Sequence, residues 1–425
     1  MIRDQIKLPK MWMVEQKFTD LPEIDVFSAM DLEWQQLRGN LDLQPGAKIA
    51  VAVGSRGIAK LDEIVKNVVD KLKDSGCRPF IVPAMGSHGG ATSEGQTSVL
   101  ESKGVTEARI GVPIRATMDV KSFGEVNGIP LFLDRYAAEA DGIVLINRVK
   151  PHTNFIGPTE SGLLKLMAIG LGNQIGAEHY HRLSVVRSQY EIISSAGREL
   201  LKRVPVLFGV GLVENQKHEI AIIKMAPADQ IEMEEAELLI KARACMATLP
   251  LEEIDLLIID EMGKDISGEC IDPNVVGRDV VAYGAERLRP KITRIFVRDL
   301  TDASEGSAVG IGQADFTLKR LVDKIDFKAT AVNCLTSCCP EAGKVPLTYD
   351  NDYEAIAAAL VSLRPYELTD VRIVHIKNTL ELVNLKVSQG CLHELKDNAN
   401  VDISEDETDL HFDDSGMLFS SFVTF

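Results

Sequence analysis

The sequence predicts an α/β protein with mainly parallel sheets, arranged as two α/β domains. Three observations predict it. Short β-branched runs alternate with segments of helical period, the pattern of strands joined by crossover helices. The alternation stops at a charged stretch before Pro250 and then restarts. Polar and Gly-rich segments follow the apolar runs, at the carboxyl ends of strands, where open α/β sheets bind ligands.

The elements follow in order. KIAVAVG (48–54) reads as the first strand. The next helix sets Ile58, Leu61, Ile64, Val65, Val68, Val69 and Leu72 on one face and stops at Gly76. FIVPAMG (80–86) is the second strand, and Ser93-Glu-Gly-Gln96 fits a capping box that opens the helix after it. DGIVLIN (141–147) is the third strand. VPVLFGVGLVENQKHEIAIIK (204–224) reads as a hairpin turning near Asn215 and Gln216. A charged helix then runs from Asp229 to about Met246. Beyond it IDLLIID (254–260), ITRIFV (292–297), KATAVNCL (328–335) and RIVHIK (372–377) read as strands. The expected domains are therefore 1–249, carrying the candidate site, and 250–425, whose last segment is expected to return to the first domain. Both sheets are expected to be Rossmann-like, with the active site in the cleft between the domains.

Composition narrows the function. A chain of 425 residues with 45% hydrophobic and 26% charged residues has the make-up of a soluble enzyme. The net charge of −17 argues against nucleic acid and anionic membrane as partners, since both need a basic face. The acidic stretch EDETDLHFDD (405–414) reads as solvated surface. No run reaches the length of a membrane span, and the N-terminus lacks an apolar leader core, so a cytoplasmic protein is expected. The seven cysteines have no disulfide or zinc-ribbon spacing and read as small buried apolar residues, Cys334, Cys338 and Cys339 included.

The chemistry gathers at the strand ends. The first strand runs into Ser55 and Arg56, the second into Ser87 and His88, the third into Arg148, Lys150 and His152. GSHGGAT (86–92) is a Gly-rich turn whose backbone N–H groups, around Gly89, can approach an anion. It is neither of the two common nucleotide fingerprints, and a plain tight turn accounts for it equally well. GAEHYHR (176–182) holds two of the chain's eight histidines. On a strand, His179 and His181 would share a face, but the flanking residues look helical, which turns one inward and the other away. A single histidine cannot hold a metal, so most donors would have to come from elsewhere.

GSHGGAT with His88, KPH with His152, and Lys165 followed sixteen residues later by His181 resemble the nickel-dependent lactate racemases. The resemblance extends over nearly the whole chain, and the Lys-to-His spacing across KLMAIG carries most of its specificity. It implies a nickel-pincer nucleotide, the Ni(II) complex of pyridinium-3,5-bisthiocarboxylic acid mononucleotide, attached through a thioamide to Lys165. That cofactor brings two sulfurs and a carbon to the metal, and His181 completes a square-planar set suited to Ni(II). His179 is left as a supporting or surface residue.

The resemblance further implies a racemase or C2-epimerase of a small-molecule 2-hydroxy acid. His88 and His152 would be the two acid/bases flanking the substrate, and Arg56 would contact substrate or cofactor with its planar fork. Ser55, Ser87 and Gly89 are the expected further cofactor contacts, and Lys264 and Arg278 in GKDISGECIDPNVVGR (263–278) the expected anion contacts of the second domain. The chain departs from the family at Val53, which replaces an acidic residue, at Leu164, which replaces a basic one, and in the longer segment TNFIGPTESGLL. Asn154, Thr159, Glu160 and Ser161 in that segment are expected to add polar groups beside the substrate, favouring acids larger than lactate. Two other readings compete: a zinc hydrolase using His88, His152 and His181 as ligands, and a non-catalytic binding homologue. A nicotinamide dehydrogenase is weaker, because no GxGxxG follows the first strand. The oligomeric state is left open by the sequence.

Overall fold

The computed structural model describes residues 7–18, 21–54, 57–280, 290–363, 365, 367–419 and 422. The chain forms two compact units, residues 19–246 and residues 1–18 with 247–425. Each contains a mainly parallel sheet with helices, a mixed α/β architecture.

The unit 19–246 is built on a five-stranded sheet. Its strands lie in the order Arg78–Pro83, Lys48–Val53, Gly142–Arg148, Val206–Glu214 and Ile220–Pro227. The first four are parallel, and the last closes the 206–227 hairpin antiparallel. Period-two alternation sends successive strand residues to opposite faces. Val51, Val53, Ile81, Val144 and Ile146 join one core with the helix Leu61–Asp74. Ala50, Ala52, Phe80, Val82, Ile143 and Leu145 join the other with Leu163, Leu166, Tyr180 and Ile193. Leu72 is fully buried, so Leu72→Ala is expected to cost about 2–5 kcal/mol. The sheet changes direction of growth between strands 48–53 and 142–148, the point where crevices open at the carboxyl ends.

The other unit carries an eight-stranded sheet. Leu347–Tyr349, Phe316–Leu318, Lys291–Leu300, Glu253–Met262 and Ile373–Ile376 run parallel. Asn384–Ser388, Met11–Gln16 and Val401–Thr408 extend it antiparallel. Two expectations are corrected here. The N-terminal strand pairs with 384–388 and 401–408, so residues 1–18 do not go with the first domain. The C-terminal strand 401–408 likewise stays in this unit rather than returning. Strand pairing between distant segments leaves no local signal.

KATAVNCL is also corrected: it lies in the helix Phe327–Thr336. Asp326 caps it by accepting the N–H groups of Lys328 and Ala329, 2.9 Å each, and Thr330 and Cys334 face inward one turn apart. The β-branched residues that suggested a strand include Val332, which is exposed. The capping box at Ser93 shifts by one residue. Thr92 is the N-cap, accepting from Gly95 N–H at 3.1 Å, and Gln96 instead donates to Gly86 O at 2.9 Å. Among the described residues no helix is long and apolar enough to cross a membrane.

Candidate functional site

The site-bearing segments of the unit 19–246 meet at three neighbouring strand ends. Strand 48–53 lies between 78–83 and 142–148, with Val53 level with Pro83 and Ile146. Ser55 and Arg56, just beyond it, lie outside the described residues. Gly54 is needed at the first strand end because a Cβ there would collide with the Asn147 carboxamide. Asn147 in turn donates to Gly162 O at 2.8 Å and ties the third strand end to the segment that leads into Lys165.

The second strand end docks on the same segment. Gly86 N–H donates to Gly170 O at 3.0 Å, and a Cβ on Gly86 would stand 3.1 Å from Ile169. Ser87, half-buried, and His88, exposed, follow immediately. Gly89 takes a positive φ and packs on the backbone of Gly95 and Gln96, at the start of its own helix. The tight-turn account of GSHGGAT therefore has a specific packing reason.

Lys165 ends the short turn Leu163–Lys165, which continues as a π-helical stretch, Leu166–Gly170, closed by Leu171 N–H to Leu166 O at 2.9 Å. Such bulges recur where a helix must re-aim a functional side chain. Asn173 then adopts a left-handed φ of 51° and starts the helix Asn173–Leu183. Asparagine tolerates this conformation. Its Nδ2 donates to Thr117 O and to Asp134, both at 2.9 Å, which locks the reversal. Burial pushes the Asp134 carboxyl up to about 6, against the opposing effect of its bonds to Asn173 and to the backbone.

The reversal leaves His181 within electrostatic reach of Lys165. Burial first, and the Lys165 ammonium second, hold the His181 imidazole down at about 4. His181 keeps some accessible surface yet sits deep among protein atoms, which disfavours its charged form. His179 is exposed on the same helix, with Nδ1 2.9 Å from Ile175 O and its ring against Phe132. The helical spacing thus separates the two histidines, as the sequence pattern implies.

His152 lies at the start of a loop closed at its base by Lys150 N–H to Ser161 O (2.9 Å) and Ser161 N–H to Lys150 O (3.2 Å). The residue is 9% exposed and its ring stacks on Phe155, centroids 4.2 Å apart. Nδ1 accepts the N–H of Asn154 at 2.9 Å, so the neutral ring carries its hydrogen on Nε2.

Glu160 corrects an expectation. Its carboxylate is 2% exposed and turned inward, accepting from His152 N–H (2.6 Å) and Gly157 N–H (3.0 Å) and pairing with Arg243. Thr159 is buried as well. Arg148 is paired with Glu214, which also accepts from Ala59 N–H at 2.8 Å.

In the other unit, Lys264 donates to Gly268 O at 2.9 Å. Arg278 is consumed: it pairs with Asp315 at 2.8 Å and donates to the carbonyls of Gln313, Ile292 and Thr293. Those bonds hold the Nη atoms of Arg278 within its own unit. A cavity of about 350 Å³ opens there beside Asp260, Arg298, Asp299, Arg320 and Lys324. Its innermost cation, Arg298, is neutralised by Asp260 and Asp352 and donates to Leu418 O at 2.6 Å.

Asn147, Glu235 and Arg243 were not singled out by the sequence. One signal was present: Glu235 falls on the buried stripe of Ile231, Leu238, Leu239 and Ala242, where a carboxylate is out of place. Its Oε2 accepts Leu164 N–H at 2.8 Å. Among the described residues no three His, Cys, Asp or Glu side chains are grouped to hold a metal ion, so His88, His152 and His181 do not form the ligand set of a zinc hydrolase.

The family model described as the lactate racemase N-terminal domain matches residues 35–192. That span includes His88, His152, Lys165 and His181. Among solved structures the chain is similar to the lactate racemase apoprotein from Thermoanaerobacterium thermosaccharolyticum, with 13% identity over 67% of this chain and 74% of that one and a TM-score of 0.45. No curated protein matches.

Proposed function

We propose that this chain, lactate racemase-like over residues 35–192, is a racemase or C2-epimerase of a 2-hydroxy acid that works with a nickel-pincer nucleotide. The observation that carries the reading is the chain reversal at Asn173, which sets His181 within electrostatic reach of Lys165 inside the matched span. The donor set fits the cofactor. His181 offers one neutral nitrogen, and no described cluster could complete a coordination sphere from protein side chains alone. A metal held here needs a group that brings its own donors and a point of attachment, and Lys165 supplies the attachment. Lys165 and His181 would hold the cofactor, and the chemistry it would supply is reversible hydride acceptance at C2 of the substrate.

The chain's own residues would handle the proton and the orientation. His88 and His152, beyond the ends of strands 78–83 and 142–148 on either side of strand 48–53, would exchange the hydroxyl proton with the two faces of the substrate. As held, His152 presents Nε2–H as a donor to a ligand oxygen. Receiving a proton at Nε2 places a hydrogen on Nδ1 both before and after transfer, so the turn to Asn154 must open during that half of the cycle. Arg56 and Ser55 keep their proposed contacts with substrate and cofactor by resemblance, as do Ser87 and Gly89.

Full-length protein co-produced with the cofactor's biosynthetic proteins tests the reading. Intact mass, a nickel assay and inversion at C2 in deuterated water are measured together. The expected outcome is an adduct on Lys165, one nickel per chain, and inverted product that retains its C2 hydrogen. Solvent deuterium at C2 would point to proton abstraction from carbon and overturn the hydride mechanism.

A further inference from the structure

We propose that the helix Ile231–Ala244 is the positioning element of the site: Glu235 fixes the turn that carries Lys165, and Arg243, acting through Glu160, fixes the loop that carries His152. The inference rests on the roles assigned to Lys165 and His152 above.

The turn Leu163–Lys165 has three residues, too few for a helix to hold itself in water. It is flanked by the Lys150–Ser161 bridge on one side and the π-helical stretch on the other. Its leading N–H groups need an acceptor, and Gly162, the residue before it, has no side chain to cap them. Glu235 takes that place from a different element, accepting Leu164 N–H at 2.8 Å with its side chain fully buried. Gly162 must be glycine for this approach, because a Cβ would strike the Glu235 carboxyl.

About two turns along the same helix, roughly 12 Å, Arg243 reaches the loop. It pairs with the buried Glu160 and donates to Gly157 O at 3.0 Å, while Glu160 accepts His152 N–H and Gly157 N–H. One rigid element therefore grips the segment at 157–160 and again at 164. The two functional side chains sit just outside those grips, at 152 and 165. A site held from one helix keeps its two halves in fixed relation, which is what proton transfer and cofactor attachment on one substrate require.

The test uses the cofactor-free full chain and four variants: Glu235→Leu, Glu235→Gln, Arg243→Met and Arg243→Lys. Amide exchange is read residue by residue, and acylation of Lys165 by an amine-reactive ester is read by peptide mapping. Glu235→Leu is expected to speed exchange at Leu164 by about tenfold, the weight of one hydrogen bond, and to change acylation at Lys165 more than at other lysines. Glu235→Gln keeps an acceptor oxygen and is expected to restore both. Arg243→Met is expected to speed exchange at His152 and Gly157 while sparing Leu164, and Arg243→Lys, which keeps a charge beside the buried Glu160, to do so less. In the holoenzyme Arg243→Met lowers kcat with little change in KM or nickel content, and Arg243→Lys recovers part of it. Unchanged exchange at Leu164 in Glu235→Leu, or at His152 and Gly157 in Arg243→Met, overturns the proposal. Exchange decides the bracing without any turnover. Absence of inversion by the parent holoenzyme overturns the functional reading alone.

Discussion

Glu235→Gln should make the protein more resistant to unfolding above neutral pH and leave it nearly unchanged at pH 5. Desolvation raises the Glu235 carboxyl from its ordinary 4.5 to about 8, against the lowering effect of the Leu164 and Leu163 N–H groups, with Glu232 adding slightly to the rise. A carboxyl whose folded value lies above its unfolded value binds more protons in the folded state. Its contribution is therefore fully present below 4.5 and is lost as pH rises toward 8. Each pH unit in that window removes about 1.4 kcal/mol, so by pH 7 the parent has lost roughly 3 kcal/mol relative to pH 4.5. A glutamine resembles the neutral acid and does not titrate, so the variant keeps what the parent loses. Its advantage should grow by about 1 kcal/mol per pH unit from 5 to 8. Urea unfolding of the cofactor-free protein at a series of pH values measures this. Trp34, which packs edge-on against Phe208 in the unit 19–246, reports that unit alone in a Trp12→Phe background. A difference between variant and parent that stays constant from pH 5 to 8 would refute the argument. So would a variant that becomes relatively weaker as pH rises, because the carboxylate would then be charged and stabilised by the N–H groups it accepts.

Four further outcomes are expected. His88→Ala and His152→Ala should each reduce inversion in both directions by about a hundredfold or more while nickel content holds, measured on reconstituted enzyme. Selective nitrogen-15 labelling of histidine should show His152 with Nε2 protonated and Nδ1 bare in the resting protein, and a protonated Nδ1 would contradict the Asn154 bond. Asn173→Ala should destabilise the unit by about 1–3 kcal/mol, combining left-handed strain with the loss of two hydrogen bonds, and Asn173→Gly should cost less because only the bonds are lost. Arg278→Ala should lower the melting temperature without changing cofactor loading, since its fork holds Asp315 and three carbonyls.

What the sequence made legible was periodic or compositional. The strands at 48–53, 78–83, 142–148 and 253–262 were readable because β-branched residues ran unbroken between turn signals. The separation of His179 from His181 was readable because i and i+2 diverge on a helix. Hidden features depended on contacts distant in sequence. The strand 11–16 pairs with segments almost four hundred residues away, and nothing in MWMVEQ names its partner. KATAVNCL misled because its β-branched composition resembled a strand, whereas Asp326 just before it supplied a cap. Arg278 was expected as an anion contact because the segment 263–278 resembles a cofactor-facing loop of the family. Only the positions of Asp315 and the carbonyls around it show that its Nη atoms bond within the unit.

The segment after His152 shows that one sequence observation can have two physical meanings. Its extra polar residues are real, but a polar residue in a longer loop has two uses: to meet a ligand or to satisfy the loop's own backbone. A loop leaving a sheet exposes N–H groups that need acceptors, and burying them unpaired costs about 1–3 kcal/mol each. Glu160 satisfies two such groups and Arg243 satisfies Gly157 O, so the added length is stabilised internally. With Glu160 and Thr159 turned inward, the grounds for a hydroxylated substrate reduce to Asn154 and Ser161, and Ser161 already uses its backbone in the Lys150 bridge. Phe155 stacks on His152, and Ile156 stands exposed beside it. Side-chain selectivity at C2 should therefore respond more to Ile156→Ala than to Glu160→Gln. Rates across lactate, aromatic, dicarboxylic and sugar acids would separate the two uses. A change of preferred acid in Glu160→Gln, with Ile156→Ala unchanged, would return Glu160 to the substrate.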